Sequence, residues 1–176
     1  MANVTRRALV KASTYTVAAL AAPIAYAQGT SVAQPTQGRR KPDIQRFAPT
    51  PKLPGVPLIS FGVVHGDIVH LAGITANPLV LGTGSSRGAA DALGDVADQT
   101  RKILARIDAL LATAGTTKAN LLSAQVWLTD MKNFAAHNDA WNEWVDPKNP
   151  PVRACLQSPQ LFLPGLLVEI MVTAAR

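Results

Sequence analysis

Two apolar segments near the C-terminus, each with one charge in its middle, constrain the fold of this chain more than any other feature. In the first, Val152 to Gln157, side chains alternate between the two faces of a pleated strand, so Arg153 and Cys155 share one face. In the second, Leu166 to Thr173, Glu169 is a lone carboxylate among apolar residues. This period-two pattern predicts two strands.

The two charges need an explanation, because burying a charge is costly unless it is paired or hydrogen-bonded. One interpretation is structural: Arg153 and Glu169 form a salt bridge between neighbouring strands, or Glu169 faces water on an edge strand. The other is functional: both charges point into a pocket that needs an anion-binding guanidinium and a general base. The residues alone leave both interpretations open.

The length of 176 residues fits one domain with extensions, and the charge distribution limits what that domain can bind. The net charge is +6, but eight of the 17 lysines and arginines precede Leu53. Residues 53–176 hold nine lysines and arginines against ten acidic residues, which leaves this part near neutral. It lacks the basic stripe that phosphate binding needs, and we expect no nucleic-acid partner.

Residues 1–27 are predicted to be a targeting segment. The heptapeptide TRRALVK, from Thr5 to Lys11, resembles the twin-arginine export signature, and the apolar stretch from Ala12 to Ile24 is too short to span a bilayer comfortably. Ala25-Tyr26-Ala27 has the small-x-small pattern of a signal-peptidase site. An uncleaved membrane anchor is the alternative. The pattern favours twin-arginine export to a bacterial periplasm, with no stable membrane association after cleavage.

The next segment, residues 28–52, is rich in Gln, Thr, Pro and Arg and has no apolar periodicity. Such a composition is typical of a flexible linker without fixed structure. The folded domain is therefore predicted to occupy residues 53–176.

The domain begins with a hairpin signal. Two β-rich runs, Leu58 to Val64 and Ile68 to Ala72, are separated by His65-Gly66-Asp67, and a long loop is predicted from Asn77 to Gly94. Asp95 is the predicted N-cap of a helix that ends near Gly115.

A third strand, a second helix and the two C-terminal strands follow. Leu121 to Thr129 is a predicted strand with Leu122, Ala124, Val126 and Leu128 on one face. A helix is predicted from Asn133 to Trp144, with Phe134, Asn138, Trp141 and Val145 on one face. Asn138 is the odd member of that face: it is either a helix-surface residue or an amide aimed at a cleft.

The predicted order is β-β-α-β-α-β-β, an α+β domain of two layers with two helices on one face of a mostly antiparallel sheet. One helix pair leaves the other face of such a sheet bare, so an oligomer that covers this face is expected. Cys155 is the single cysteine, which excludes an intrachain disulfide. The histidines, His65, His70 and His137, lack the spacing of metal ligands, so no metal site is predicted.

Three sequence features then combine into a resemblance. They are the segment from Asp130 to Trp144, reading DMKNFAAHNDAWNEW, the segment PPVRAC from Pro150 to Cys155, and the tripeptide Val168-Glu169-Ile170. Together with the order of elements, they resemble the Rid (YjgF) family of reactive-intermediate imine deaminases over about residues 57–176.

This resemblance implies a chorismate-mutase-like domain in a homotrimer with a central barrel and three clefts between subunits. Arg153 would then bind the carboxylate of a 2-imino acid through the planar guanidinium fork, and Asn138 would lie close to the same cleft. Cys155 would lie near the attacking water and Glu169 would orient or activate it. The implied reaction is hydrolysis of an imine or enamine to a 2-keto acid and ammonia, without metal or cofactor.

Three departures from the family pattern point to an altered pocket. Where the best-known deaminases of the family have a tyrosine and a serine, this chain has Leu58 and Ala72, and the spacing from Arg153 to Glu169 is one residue longer. A different or bulkier substrate, or weaker catalysis, is expected. A non-catalytic protein that binds a small organic acid in the same cleft is the alternative, and Cys155 is either a reactive thiol or an unreactive buried one.

Overall fold

The computed structural model describes residues 43–54, 56–77 and 93–176, all within one compact unit, residues 40–176. The predicted signal segment, most of the predicted linker and most of the predicted long loop lie outside the described residues. None of the helices in the described part of the chain is both long and apolar enough to span a bilayer.

The described residues form seven strands and two α-helices, with short 3₁₀ turns at 118–120 and 131–133. The elements in chain order are β1 (Ile44–Pro49), β2 (Ser60–His65), β3 (Ile68–Leu71), β4 (Ile74–Thr75), α1 (Val96–Thr113), β5 (Leu121–Leu128), α2 (Phe134–Trp144), β6 (Val152–Gln157) and β7 (Val168–Ala175).

These strands form one sheet in the order β1-β2-β3-β7-β5-β6, and the two-residue β4 also pairs with β7. The pairs are antiparallel except for β5 and β6, which run parallel because α2 carries the chain back between them. The structure is thus a mixed α+β fold with a mostly antiparallel sheet and two helices, as the sequence predicts. The strand β6 lies at an edge of the sheet.

One face of the sheet packs against the helices and forms the core. Alternate residues of β7 are fully buried on this face, and α1 contributes the buried side chains opposite them. Core residues from the two layers include Val126, Val168, Ile170, Ile103, Ile107 and Leu111. The other face carries the remaining residues of β7, which are half-buried, and the exposed apolar side chains of Val152 and Leu156 on β6.

The local signals for the hairpin and for α1 are confirmed. The turn between β2 and β3 contains Gly66 at a φ of 61°, a left-handed conformation that suits glycine. The Asp95 side chain accepts a hydrogen bond from the backbone N–H of Asp98, as an N-cap should. At the other end Ala114 is the C-cap, and Gly115 follows it at a φ of 79°.

The linker prediction is wrong for residues 44–49, because they form the strand β1 along the edge of β2. Arg46 pairs with Val63, and Phe47 pairs with Gly62. A Cβ atom at Gly62 would overlap the Phe47 ring, so the missing side chain is what lets this ring lie against the sheet.

Two predicted faces are also corrected. A register shift at the start of β5 turns Leu122 out to 45% exposure, so Leu121 takes the buried place instead. On α2, Phe134 is exposed, and the buried residues are His137, Ala140 and Trp141. The face of α2 that meets the core is therefore rotated from the predicted one.

Gln99, which is fully buried in α1, ties this helix to the segment before β7. Its side-chain amide donates to the carbonyls of Gly94 and Gly165, and its Oε1 accepts from the N–H of Leu167. We expect Gln99→Leu to lower the free energy of unfolding by about 1–3 kcal/mol, because backbone groups lose their partners. Urea denaturation against the exposed control Gln45→Leu checks this, and equal midpoints for the two variants would contradict it.

Candidate functional site

Arg153 is held in the edge strand β6 by two side chains of α2. Its NH2 group donates to Asn138 Oδ1 at 2.6 Å, and its Cζ lies 5.1 Å from the centre of the Trp141 ring. The two partners are three residues apart, so they lie on the same side of the helix. The pair of contacts fixes the guanidinium against an aromatic face that attracts cations.

The guanidinium is half-buried, and its NH1 group is buried without a hydrogen bond in the protein. No ion pair joins Arg153 to a carboxylate, since the salt bridges of the described residues involve Arg101. The partners of Arg153 within the protein are a neutral amide and an aromatic ring, so no carboxylate of the protein neutralises the guanidinium, and its charge is available to bind an anion. This arrangement suits a carboxylate, because the planar fork matches two oxygens.

Cys155 lies on the same face of β6 as Arg153, two residues further along, and its side chain is half-buried. Burial raises the pKa of this thiol, and the charge of Arg153 offsets part of the effect. The sulfur is therefore a neutral thiol at neutral pH, which suits a weak hydrogen-bonding group better than a nucleophile.

Glu169 lies on the opposite face of the sheet. Strand pairing aligns Arg153 with Ala124, which in turn is aligned with the buried Val172 on the helix side. Glu169 is three residues from Val172, so its side chain points to the other side. Arg153 and Glu169 of one protomer therefore do not share a pocket.

The Glu169 carboxyl lies against Gly73, where a Cβ atom would overlap Oε1. It is aligned with Thr75 on one side and with Trp127 on the other. Arg106 fixes β4 from the helix layer, since NH1 donates to the carbonyls of Thr75 and Asn77. Burial raises the pKa of Glu169 above its ordinary value.

The two positions that depart from the family pattern lie at the same end of the molecule. Ala72 precedes Gly73, and its N–H is bonded to the carbonyl of Phe61. Leu58 is 69% exposed and lines an open groove of about 510 Å³, to which β1 contributes Arg46. The groove is therefore built partly by a strand that the sequence analysis did not predict.

The structure brings together Arg153, Asn138 and Cys155, and it places Glu169 elsewhere on the protomer. The catalytic and binding roles of these four residues stay predictions. Two features of the site were not predicted from the sequence: the aromatic support from Trp141, and the buried His137 one turn before it, whose ring centre lies 6.4 Å from that of Trp141. Helical spacing could have found both, because His137 and Trp141 are four residues apart.

The described residues contain no group of three or more His, Cys, Asp and Glu side chains arranged to hold a metal ion. The polar groups near Arg153 are an amide, a thiol and an imidazole, and the carboxylate of Glu169 lies on the other face. The donor set on the helix face therefore suits an organic anion better than a cation.

The fold and the site define a small mixed α+β domain with a half-buried arginine on an edge strand, held by an amide and a tryptophan of the second helix. Residues 56–176 match the family described as Endoribonuclease L-PSP, and the chain belongs to this family, whose members are also named YjgF or RutC. The strand β1 precedes the matched segment. The resemblance is thus confirmed at the level of the YjgF family, and the imine deaminase activity that it implies stays a prediction.

Relatives agree with this assignment. A RutC family protein of Haemophilus influenzae is 47% identical over 77 residues, which span 44% of this chain and 66% of that protein. The RutC family protein YoaB of Escherichia coli is 35% identical over 113 residues, 64% of this chain and 86% of YoaB. The crystal structure of a YjgF family protein from Neisseria meningitidis aligns with a TM-score of 0.62 at 31% identity, over 78% of this chain and 98% of that chain.

Proposed function

We propose that this protein hydrolyses imines or enamines that bear a carboxylate, giving a 2-keto acid and ammonia. The observation that carries the proposal is Arg153, a half-buried guanidinium bound to an amide oxygen and a ring and without a carboxylate partner. The raised pKa of Glu169 supports a role for this residue in activating water, because a carboxylate with a raised pKa is a better proton acceptor.

The chemistry divides between the two charged residues. Arg153 holds the substrate carboxylate, and a water oxygen adds to the imine carbon while Glu169 takes one proton from it. Glu169 then returns this proton to the nitrogen of the tetrahedral intermediate. As the C–N bond breaks, Glu169 also passes the proton of the new hydroxyl group to the nitrogen, so that ammonia leaves and the carbonyl group forms. Water supplies the carbonyl oxygen of the 2-keto acid, so the atoms balance without a cofactor. The neutral Cys155 thiol lies beside Arg153 as a weak hydrogen-bonding group.

Because Arg153 and Glu169 lie on opposite faces of one protomer, they can meet only if one protomer supplies the first and its neighbour the second. We therefore propose a homotrimer with clefts between subunits, in which Val152 and Leu156 of the bare face lie at the interface. The exposure of these side chains, 73% and 59%, supports this, since large exposed apolar residues favour association.

Assembly can be tested at Leu156, whose side chain makes little contact within the protomer. We expect Leu156→Asp to shift the sedimentation mass from trimer to monomer, because a charge at an apolar interface is costly. Activity should fall by about the fraction of protein that is no longer trimeric. Ala109→Asp, at an exposed position of α1, is the matched control. A Leu156→Asp protein that stays trimeric and active would contradict the proposed interface.

The reaction can be tested with imines generated in place by an amino-acid oxidase and trapped by semicarbazide. We expect added protein to lower the yield of semicarbazone, because hydrolysis competes with trapping. Several amino-acid precursors of increasing side-chain size would map the pocket around Leu58 and Ala72. The proposal fails if no precursor gives a rate above that of Arg153→Ala protein.

A second candidate function is non-catalytic binding of a small organic acid in the same cleft. It is favoured by Leu58 and Ala72, which replace two polar groups of the best-known deaminases of the family. In that case pyruvate would raise the thermal midpoint of the wild type and not of Arg153→Ala, and no imine would be hydrolysed. Cleavage of RNA, which the family description names, is disfavoured by the near-neutral charge of residues 53–176.

The proposed place of action is the periplasm, reached by the twin-arginine route. Residues 1–27 carry the motif on which this rests. Cell fractionation of an epitope-tagged chain, with Arg6→Lys/Arg7→Lys as the control, decides between the periplasm and the cytoplasm.

A further inference from the structure

His137 is a buried titratable side chain that the proposed mechanism does not use. Its exposed fraction is 0%, and its Nδ1 lies 3.0 Å from Thr100 Oγ1. The Thr100 hydroxyl donates to the Val96 carbonyl at 2.7 Å. Because a hydroxyl has only one hydrogen, Oγ1 acts as the acceptor toward His137, and Nδ1 carries the ring proton. The Nε2 atom therefore presents a lone pair.

A buried donor without a partner contacts the same tryptophan as His137. Among the described residues, the buried side-chain atoms without a hydrogen bond are His137 Nε2, Arg153 NH1 and Thr75 Oγ1. Thr75 is aligned with Glu169 on the other side of the sheet, whereas His137 and Arg153 both lie against Trp141. His137 Nε2 is an acceptor, and Arg153 NH1 is a donor.

We propose that His137 is a positioning residue for Arg153, whose buried NH1 group donates to the Nε2 lone pair through one bound water. Together with Asn138, His137 would fix the plane of the guanidinium. Of the five N–H donors of the guanidinium, these two contacts use two, and three remain for the substrate carboxylate. A fork that is already oriented loses less entropy when it binds. This inference rests on the proposed role of Arg153.

The protonation state of His137 agrees with this role. Burial, and secondarily the charge of Arg153, lower the pKa of His137 to about 4. The ring is therefore neutral at neutral pH and keeps its acceptor. A charged ring would present a second donor and repel the guanidinium.

The test compares His137→Phe, which removes the acceptor, with His137→Gln, which restores an acceptor oxygen, and with the exposed control His65→Phe. We expect His137→Phe to weaken binding of 2-oxobutanoate and to raise KM by about 10-fold, with kcat within about twofold, because a hydrogen bond to a charged group is lost. His137→Gln should recover most of the affinity. A folded His137→Phe protein with wild-type KM and affinity would overturn the inference, as would a loss that Gln does not rescue.

Nitrogen NMR of imidazole-labelled protein gives a readout that needs no activity. We expect His137 in the Nδ1–H form, with Thr100→Val shifting it toward the Nε2–H form. A wild-type ring protonated at Nε2 overturns the inference whatever the enzyme does. A wild type that neither hydrolyses imines nor binds 2-oxobutanoate overturns the proposed function instead. The inference is then decided by whether an Arg153 side-chain N–H signal is protected in the wild type and lost in His137→Phe.

Discussion

Arg153→Ala is expected to lower kcat/KM for imine hydrolysis by at least about 100-fold. Truncating a desolvated charge that pairs with a ligand costs ~2–5 kcal/mol, and each ~1.4 kcal/mol is a factor of ten. The loss should appear mainly in KM and in the affinity for 2-keto acids, because the guanidinium binds the carboxylate before and during the reaction. The kcat/KM of Arg153→Lys should lie between those of the wild type and of Arg153→Ala, since lysine keeps the positive charge but lacks the planar guanidinium. Steady-state kinetics with several precursors measure the effect.

The matched control is Arg101→Ala. Arg101 is an exposed arginine whose ion pairs with Asp98 and Glu143 are 3.8 and 3.4 Å long. Such surface pairs contribute ~0–1 kcal/mol, so this variant should keep wild-type kinetics and nearly wild-type stability. Arg153→Ala should also fold normally, because Arg153 makes no ion pair within the protomer. Equal kinetics for the two variants would remove the basis of the carboxylate site.

Glu169→Gln is expected to lower kcat by roughly 10²- to 10⁴-fold with little change in KM, the range typical of general acid–base catalysis. Burial raises the pKa of Glu169, so wild-type kcat should fall as the pH drops through that pKa and the base becomes protonated. The Gln variant should lack this acidic limb. Glu143→Gln, at an exposed position of α2, is the control.

The same substitution should leave the protein as stable as the wild type or make it more stable at neutral pH. A carboxyl whose folded pKa lies above its unfolded value costs stability once it is ionised in the folded state. The cost is absent below the unfolded pKa, grows as the pH rises from the unfolded to the folded pKa, and is constant above the folded one. Thermal midpoints at two pH values test the sign, and a destabilised, fully active Glu169→Gln protein would indicate a structural role.

The sequence predicts best those parts of the fold that depend on local signals. The turn at Gly66 and the capped start of α1 need only neighbouring residues, and both are confirmed. The strand β1 could not be predicted, because its segment IQRFAP has no apolar alternation and is held by pairing with β2 and by Phe47 against Gly62. The exposed Leu122 follows from a register shift, which depends on the partner strand.

In the candidate site, too, the features that depend on one segment were predictable and those that depend on several strands were not. Period two places Arg153 and Cys155 on one face of β6, and the structure agrees. The relation between Arg153 and Glu169 depends on registers across three strands, which no single segment encodes. Of the two first interpretations, a salt bridge between Arg153 and Glu169 of the same protomer is excluded, because the two side chains lie on opposite faces of the sheet. The spacing of His137 and Trp141 indicates a shared helix face, but the partner of the His137 ring, Thr100, comes from α1 and cannot be read from the α2 segment.

The placement of Arg153 and Glu169 on opposite faces has a genetic consequence under the proposed assembly. Each cleft of a ring takes its arginine from one subunit and its glutamate from the next. A subunit that lacks only Arg153 still offers an intact Glu169 to its neighbour, and the reverse holds for a subunit that lacks only Glu169. Two alleles that are each inactive alone would therefore complement each other when expressed together, with about one cleft in four intact if equal amounts mix at random. In a genetic complementation test, substitutions of Arg153 and of Glu169 would then behave as if they lay in two different genes.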